Sequence, residues 1–134
     1  MTRFVYVRHG ESNSTVARVI GGYRTSSGLS PLGVRQAEAL RDRWLAAPEL
    51  APDLLVSSEF PRARQTAEII APALGGREIV VEPGFNEHDP GEACDGMTMA
   101  DFVDRFGTGS WEEDPFGVTF PGGETLAAFH FRVG

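Results

Sequence analysis

Short runs of β-prone apolar residues alternate with helical patterns along this chain, and this alternation constrains its fold more than any other feature. The runs occupy 4–7, 54–56 and 79–81. Each has the length and composition of a strand buried on both faces, as in a parallel sheet. Strands separated by helices form βαβ units. The sequence therefore predicts an α/β domain with a mostly parallel sheet, in which the second run lies beside the first.

Four stretches carry helical signals, namely a serine or threonine cap, an early proline, or apolar residues at helical spacing. Their starts fall at or beside Pro31, Pro61, Thr98 and Glu124. The first helix should stop before Pro48 and the second at Gly75, because proline and glycine end helices. The stretches without such a pattern are predicted to be loops: 11–28, 82–96 and 107–123.

Length and charge limit the classes of protein that remain. A chain of 134 residues fits one domain with its own core. The net charge of −7 argues against nucleic acid or an anionic membrane as the main partner. The single cysteine, Cys94, excludes an internal disulfide and suits a reducing compartment, and no apolar run reaches membrane-spanning length. We therefore expect a cytoplasmic protein. Nothing in the sequence fixes its oligomeric state, and a homodimer is one alternative.

The residues Arg8-His9-Gly10-Glu11 directly follow the first predicted strand. In an open parallel sheet, ligands bind in the crevice beyond the carboxyl ends of the strands. A histidine held there is a candidate nucleophile, and the neighbouring guanidinium presents donors that match phosphate oxygens. Gly10 would allow close approach of a ligand or a positive φ. A surface turn that happens to contain these residues is the alternative interpretation.

Arg8 to Ser12 resembles the signature of the histidine phosphatase superfamily, the phosphoglycerate-mutase-like proteins. Four further segments resemble that family's motifs in the same order: Leu29 to Gly33 with Gln36-Ala37, Ser57 to Ala67, Phe85 to Glu87 with Gly91, and Pro121 to Thr125. The resemblance covers nearly the whole chain. It implies a three-layer α/β/α sandwich and an enzyme that hydrolyses phosphomonoesters of small metabolites, without a metal or another cofactor.

The resemblance also implies roles for individual residues. It makes His9 the nucleophile that becomes phosphorylated, with Arg8 and Arg62 holding the phosphoryl oxygens and Glu87 as the general acid. It assigns further substrate contacts to Ser12, Thr15, Gly21 and Gly22. Arg64 lies two residues beyond Arg62 and cannot share its helix face, so a surface or ion-paired position is expected.

The chemistry of the residues supports these roles but leaves one alternative open. A phosphomonoester repels nucleophiles, so its charge must be neutralised, and a neutral imidazole can then attack phosphorus. The leaving oxygen needs a proton from a carboxylic acid that is partly shielded from water, and Phe85 and Pro90 could shield Glu87. Three other nearby carboxyls compete for this role: Asp89, Glu92 and Asp95. His88 is expected at the rim of the site.

Two departures from the family pattern give rise to further expectations. Thr15 stands where the family usually has an asparagine, which weakens one phosphate contact. The family's second catalytic histidine, in a late His-Gly pair, has no counterpart before Gly134, and His130 lies in a helical pattern. We therefore expect residues 1–134 to form a single domain that lacks its C-terminal portion, with 4–7 as an exposed sheet edge. A phosphoglycerate-mutase-type phosphotransferase and a catalytically impaired phosphate-binding domain are the alternative functions.

Overall fold

The structure is a computed structural model that describes residues 1–107 and 120–134. In this part of the chain, six α-helices and two β-strands are present. The helices are α1 (Asn13–Ala17), α2 (Pro31–Ala46), α3 (Pro61–Ile70), α4 (Gly91–Cys94), α5 (Met99–Phe106) and α6 (Leu126–Val133), and the strands are β1 (Leu55–Ser57) and β2 (Ile79–Val81). Two short 3-10 turns, Ala71–Leu74 and Pro83–Phe85, follow α3 and β2.

A parallel βαβ unit formed by β1, α3 and β2 is the centre of the described fold. The strands pair in parallel with Leu55 opposite Ile79 and Ser57 opposite Val81. Helix α3 contacts both strands and packs against α2. The predicted α/β class and the predicted strands at 54–56 and 79–81 are thus confirmed.

The predicted helices form because their local capping signals agree with their buried faces. The Ser30 hydroxyl accepts a hydrogen bond of 3.0 Å from the Gly33 amide at the start of α2, where Pro31 has no amide hydrogen to lose. The apolar face of α2 buries Ala37 and Trp44. Trp44 packs with Ile70 and Leu74 into one of two apolar clusters. The second cluster contains Ile20, Cys94 and Phe102.

Two of the predicted loops contain short helices. Within 11–28, the Ser12 hydroxyl accepts the amide of Thr15 at 3.2 Å and starts the single turn of α1. Such a turn needs only a local cap, so it has no apolar stripe for the sequence to display. Within 82–96, the structure places a 3-10 turn and α4. Of the loop predicted at 107–123, residues 108–119 lie outside the described part.

The prediction of a strand at 4–7, lying beside β1, is wrong for the described structure. These residues belong to no strand, and no backbone group in 4–7 has a hydrogen-bond partner within 1–107 or 120–134. Phe4 and Tyr6 are 75% and 83% exposed. A strand is stabilised by the ladder it shares with a neighbour, and β-prone residues without that ladder do not form one. The expected exposure of this apolar segment is observed.

No helix in the described ranges has both the length and the apolar character that crossing a bilayer requires.

Candidate active site

Two glycines bring the segment that carries His9 against α2. The backbones of Gly10 and Gly33 are so close that a Cβ atom on either residue would overlap backbone atoms of the opposing segment. The Gly10 amide also donates a 3.2 Å hydrogen bond to the Thr66 hydroxyl on α3. Gly10 has no positive φ. Glycine is therefore needed at position 10 so that the backbone can pack against α2. The two reasons considered from the sequence were a positive φ and the close approach of a ligand.

The imidazole of His9 is held in one tautomer. Its Nδ1 lies 2.7 Å from the Gly10 carbonyl oxygen, which can only accept, so Nδ1 carries the proton. The Nε2 lone pair then accepts a 3.1 Å hydrogen bond from Arg62 Nε. Burial lowers the pKa of His9 below 6.5, and the charges of Arg62 and Arg8 lower it further, against the opposing effects of the Gly10 carbonyl and Glu87. The ring is thus a neutral base with Nε2 as its reactive atom.

Arg62 lies in the first turn of α3, after Pro61, and is only 6% exposed. Its Nη1 donates to the Ser26 hydroxyl at 2.9 Å, and its guanidinium carbon lies 4.5 Å from the centroid of the Phe60 ring. Burial lowers the pKa of this guanidinium, while Glu87 raises it. The structure therefore joins a half-buried His9 and a buried Arg62 in one positively charged pair. Arg64, in contrast, is half exposed and lies 3.7 Å from Glu68, as predicted.

Glu87 faces this pair electrostatically, because its charge raises the pKa of both His9 and Arg62. Its side chain is exposed, and Oε1 accepts a 3.2 Å hydrogen bond from the His88 amide. Phe85 is 47% exposed and Pro90 is buried. The apolar shielding expected around Glu87 is absent from the described residues.

Asn86 fixes the segment that carries Glu87, and the sequence analysis missed it. It is 1% exposed. Its side-chain Nδ2 donates to Glu59 Oε2 and to the Tyr23 hydroxyl, each at 2.8 Å, and its Oδ1 accepts the Glu59 amide at 2.9 Å. Because Glu59 lies just before α3, Asn86 couples the position of Glu87 to that of Arg62. An asparagine next to the candidate acid was the only available signal.

The three competing carboxyls are engaged elsewhere. Asp95 accepts backbone amides from the 22–25 loop and the Thr25 hydroxyl, and these bonds hold its pKa below the ordinary value although burial has the opposite effect. Glu92 pairs with Arg24 at 2.5 Å, and Asp89 accepts the Gly91 amide at 2.9 Å. Of the four carboxyls, Glu87 is the one whose charge acts on the pKa of both His9 and Arg62, so it remains the candidate acid.

His88 is not a rim residue as expected from the sequence. Its ring lies between Phe120 and Phe129, with centroid distances of 5.6 and 5.7 Å. It belongs to the aromatic packing beneath the Glu87 segment. Two residues further on, Pro90 is fully buried, so the chain turns into the protein directly after His88.

The remaining predicted substrate contacts lie at different distances from the pair. Arg8 is exposed and has no hydrogen bond or ion pair to any described residue, although its charge acts on His9. The hydroxyls of Ser12 and Thr15 bond to each other at 2.9 Å. Gly21 borders the pair, because a Cβ there would lie 4.0 Å from Arg62 Nη1. The Gly22 amide donates a 2.9 Å hydrogen bond to Asp95 instead.

Ser26 and Thr66 were also missed, although both contact the central residues. Thr66 Oγ1 donates to the Arg62 carbonyl at 2.8 Å and accepts from Gly10, so it joins the segment carrying the nucleophile to α3. Ser26 lies in a loop whose course the sequence does not specify. Within the described residues, no group of three His, Cys, Asp or Glu side chains is arranged to hold a metal.

A buried arginine at a helix start, bonded to a neutral histidine, is an arrangement whose donors and charge suit a phosphoryl group. The chain belongs to the histidine phosphatase superfamily (branch 1), whose sequence model matches residues 4–134. The resemblance inferred from the Arg8 to Glu11 motif and the four later segments is confirmed.

Named relatives include both mutases and phosphatases. The chain is 30% identical over 133 residues to a 2,3-bisphosphoglycerate-dependent phosphoglycerate mutase of Methylorubrum populi, covering 96% of this chain and 61% of the relative. It is 33% identical over 136 residues to phosphoserine phosphatase 1 of Hydrogenobacter thermophilus, covering 99% of this chain and 61% of the relative.

Solved structures share the fold. A mycobacterial glucosyl-3-phosphoglycerate phosphatase, in complex with VO3, superposes with a TM-score of 0.77 at 27% identity, covering 92% of this chain and 57% of that one. The fold is therefore that of the phosphoglycerate-mutase-like proteins. The chain spans about three fifths of the length of these two curated relatives.

Proposed function

We propose that this protein hydrolyses phosphomonoesters of small metabolites through a phosphohistidine at His9. The observation that carries the proposal is the tautomer of His9, because its proton is held on Nδ1 by the Gly10 carbonyl and its Nε2 lone pair faces a buried arginine. An imidazole nitrogen in this state is a nucleophile, and the adjacent guanidinium binds the phosphoryl group that it attacks.

In the first step, Nε2 of His9 attacks phosphorus and the bond from phosphorus to the ester oxygen breaks. Arg62 turns its Nε–H from Nε2 to a phosphoryl oxygen and offsets the charge there, together with Arg8. Glu87, protonated, gives its proton to the departing alkoxide. The products are an alcohol, a Glu87 carboxylate and a phosphorylated His9 that keeps its Nδ1 proton.

In the second step, water attacks the phosphorylated His9. The Glu87 carboxylate takes a proton from that water, the phosphorus–nitrogen bond breaks, and its electron pair returns to Nε2. Inorganic phosphate leaves and both groups regain their starting states. The exposed side of the site at Glu87 favours water as the acceptor over a second substrate.

The relatives support a phosphoryl-transfer function of this kind, since their names specify phosphoserine, glucosyl-3-phosphoglycerate or phosphoglycerate as substrates. For this chain we propose a small phosphorylated substrate, without a metal or other cofactor, and neither nucleic acid nor a membrane as the partner. A cytoplasmic location is part of the proposal, because the single cysteine is buried and unpaired.

Phosphorylation of His9 tests the proposal directly. The full chain is incubated with a 32P-labelled aryl phosphate, quenched in base, and mapped. We expect an acid-labile, base-stable label on His9 that is absent from His9→Gln and retained in His130→Gln, a control at an exposed histidine. Label on another residue would refute the mechanism. Transfer of the label to an added alcohol rather than to water would identify a phosphotransferase, and phosphate binding without label a binding domain.

A further inference from the structure

Arg132, on the last turn of α6, reaches back to the segment that carries Glu87. Its Nη1 donates to the carbonyl oxygens of Gly84 and Asn86, each at 2.9 Å. Its Nε and Nη2 bind both carboxylate oxygens of Glu124, at 3.0 and 2.9 Å. This guanidinium therefore bonds two backbone carbonyls of the segment that precedes Glu87 and the Glu124 carboxylate at the same time.

Glu124 also bonds the backbone on the other side of Glu87, at Asp89. Its backbone amide donates to the Asp89 carbonyl at 2.9 Å, and its Oε2 accepts the Asp89 amide at 3.4 Å. The side chains of Arg132 and Glu124 are 27% and 15% exposed, so water competes weakly for them. The hydrogen bonds from Arg132 are the main reason that the pKa of Glu124 is below its ordinary value. Residues 84–89 are thus held on both sides of the candidate acid.

The carboxylate of Glu87 has little else to define its position. Among described residues its only hydrogen bond is the one it accepts from the adjacent His88 amide. Its side chain is exposed. The placement of this carboxylate relative to His9 therefore depends on where the backbone of 84–89 is held, and Asn86 anchors only the face toward α3.

We propose that Arg132, held by Glu124, is a positioning residue that sets the reach of Glu87 toward the leaving oxygen. The proposal rests on the proposed function of Glu87. Arg132 has no hydrogen bond to His9 or Arg62, and its donors are taken up by Glu124 and by backbone carbonyls. Its loss leaves the nucleophile and its arginine in place but lets the acid move, and a displacement of about 1 Å is enough to slow a positioned proton transfer severely.

Two esters with different leaving groups provide the test, because an aryl oxide leaves without much protonation and an alkoxide does not. We expect Arg132→Met to slow alkyl phosphate hydrolysis on the order of 100-fold and aryl phosphate hydrolysis only about threefold, mainly in kcat. Arg132→Lys keeps one donor and should recover part of the alkyl rate. Arg43→Met is the control, because it removes the ion pair between Arg43 on α2 and Glu49, which is exposed and lies outside the 84–89 segment.

A double variant separates positioning from general damage. If Arg132 acts through Glu87, then Glu87→Gln with Arg132→Met loses no more alkyl activity than Glu87→Gln alone, because interactions through one group are not additive. Losses that multiply, or equal slowing of both esters, would overturn the proposal. Glu124→Gln should also slow the alkyl ester more than the aryl ester, by a smaller factor than Arg132→Met. This variant tests the proposal if Arg132→Met fails to fold.

We call the hydrogen bonds from Arg132 and Glu124 to residues 84–89 the clamp. Hydrogen exchange tests the clamp without any catalysis, so a failure of this proposal can be distinguished from a failure of the proposed function. The amides of Phe85 and Asn86 bond within the 3-10 turn, to the carbonyls of Glu82 and Pro83, at 3.1 and 3.0 Å. We expect Arg132→Met to speed exchange at these two amides and to leave those of α2 unchanged. Unchanged exchange at both would overturn the clamp. Faster exchange with equal slowing of both esters would retain the clamp and refute the role given to Glu87.

Discussion

Replacing Arg62 by glutamine, with Arg64→Gln as its neighbour and control, tests the central pair of the site. Arg62 is buried, donates to Nε2 of His9 at 3.1 Å, and presents its guanidinium where a phosphoryl group bound to His9 would lie. Glutamine keeps a donor and helix propensity but removes the charge. Arg64 lies on another face of α3 and its partner, Glu68, is 3.7 Å away.

The magnitude follows from what each arginine contacts. Removing a donor aimed at developing charge costs about 3 kcal/mol of barrier, so Arg62→Gln should lower kcat on the order of 100-fold. The Arg64 pair is exposed and spaced i,i+4, so its loss should cost about 0.4 kcal/mol of folding stability and leave the rate unchanged. The ratio between the two variants is therefore on the order of 100 in rate.

Steady-state hydrolysis of an aryl phosphate measures the rates, and urea unfolding of the same samples measures stability. An aryl ester is the appropriate substrate because its leaving group makes the result insensitive to Glu87. Equal rates for the two variants would refute the placement of Arg62 in the phosphate site. A rate loss in Arg62→Gln that disappears when only folded protein is counted would refute it equally.

Two further predictions concern the other members of the site. The pKa of His9, followed by NMR of its ring, should lie below 6.5, and activity should fall as the pH drops through that lowered pKa. The stability that comes from keeping the ring neutral is lost over the same acid range, and Arg62→Gln should raise the pKa of His9 more than Arg8→Gln does. A measured pKa above 6.5 would contradict the geometry. Glu87→Gln should slow an alkyl phosphate much more than an aryl phosphate in paired kinetic assays, and equal slowing would assign Glu87 to binding or structure.

Local signals in the sequence were sufficient for most of the helices and two strands. Ser30 with Pro31 begins α2, and Thr98 begins α5, as predicted, because a cap acts over three or four residues and needs no distant partner. The strand predicted at 4–7 was wrong because its existence depends on a ladder partner, which is a tertiary condition. The one-turn helix α1 was missed because nothing but its cap, Ser12, specifies it.

The residues of the site likewise fall into those that local sequence motifs predicted and those that depend on distant contacts. His9 and Arg62 were identified from motifs, and the structure brings them into contact. The residues that fix the segments around the site, including Thr66, Asn86 and Arg132, were not identified, because each acts through a hydrogen bond to a residue far away in the chain. Glu87 was predicted as the acid from its motif, and the structure adds that the three competing carboxyls have hydrogen bonds or ion pairs of their own.

The contact between the backbones of Gly10 and Gly33 has a consequence for how the protein tolerates change. A clash between side chains can be relieved by trimming one of them, but here each glycine would meet main-chain atoms, which no substitution shortens. A displacement of α2 therefore moves the residue next to His9 directly, because no side chain lies between the two backbones that could change its rotamer. Substitutions that change the packing of α2 far from the site, for instance around Trp44, thus shift the position of the His9 ring although no residue of the site is replaced.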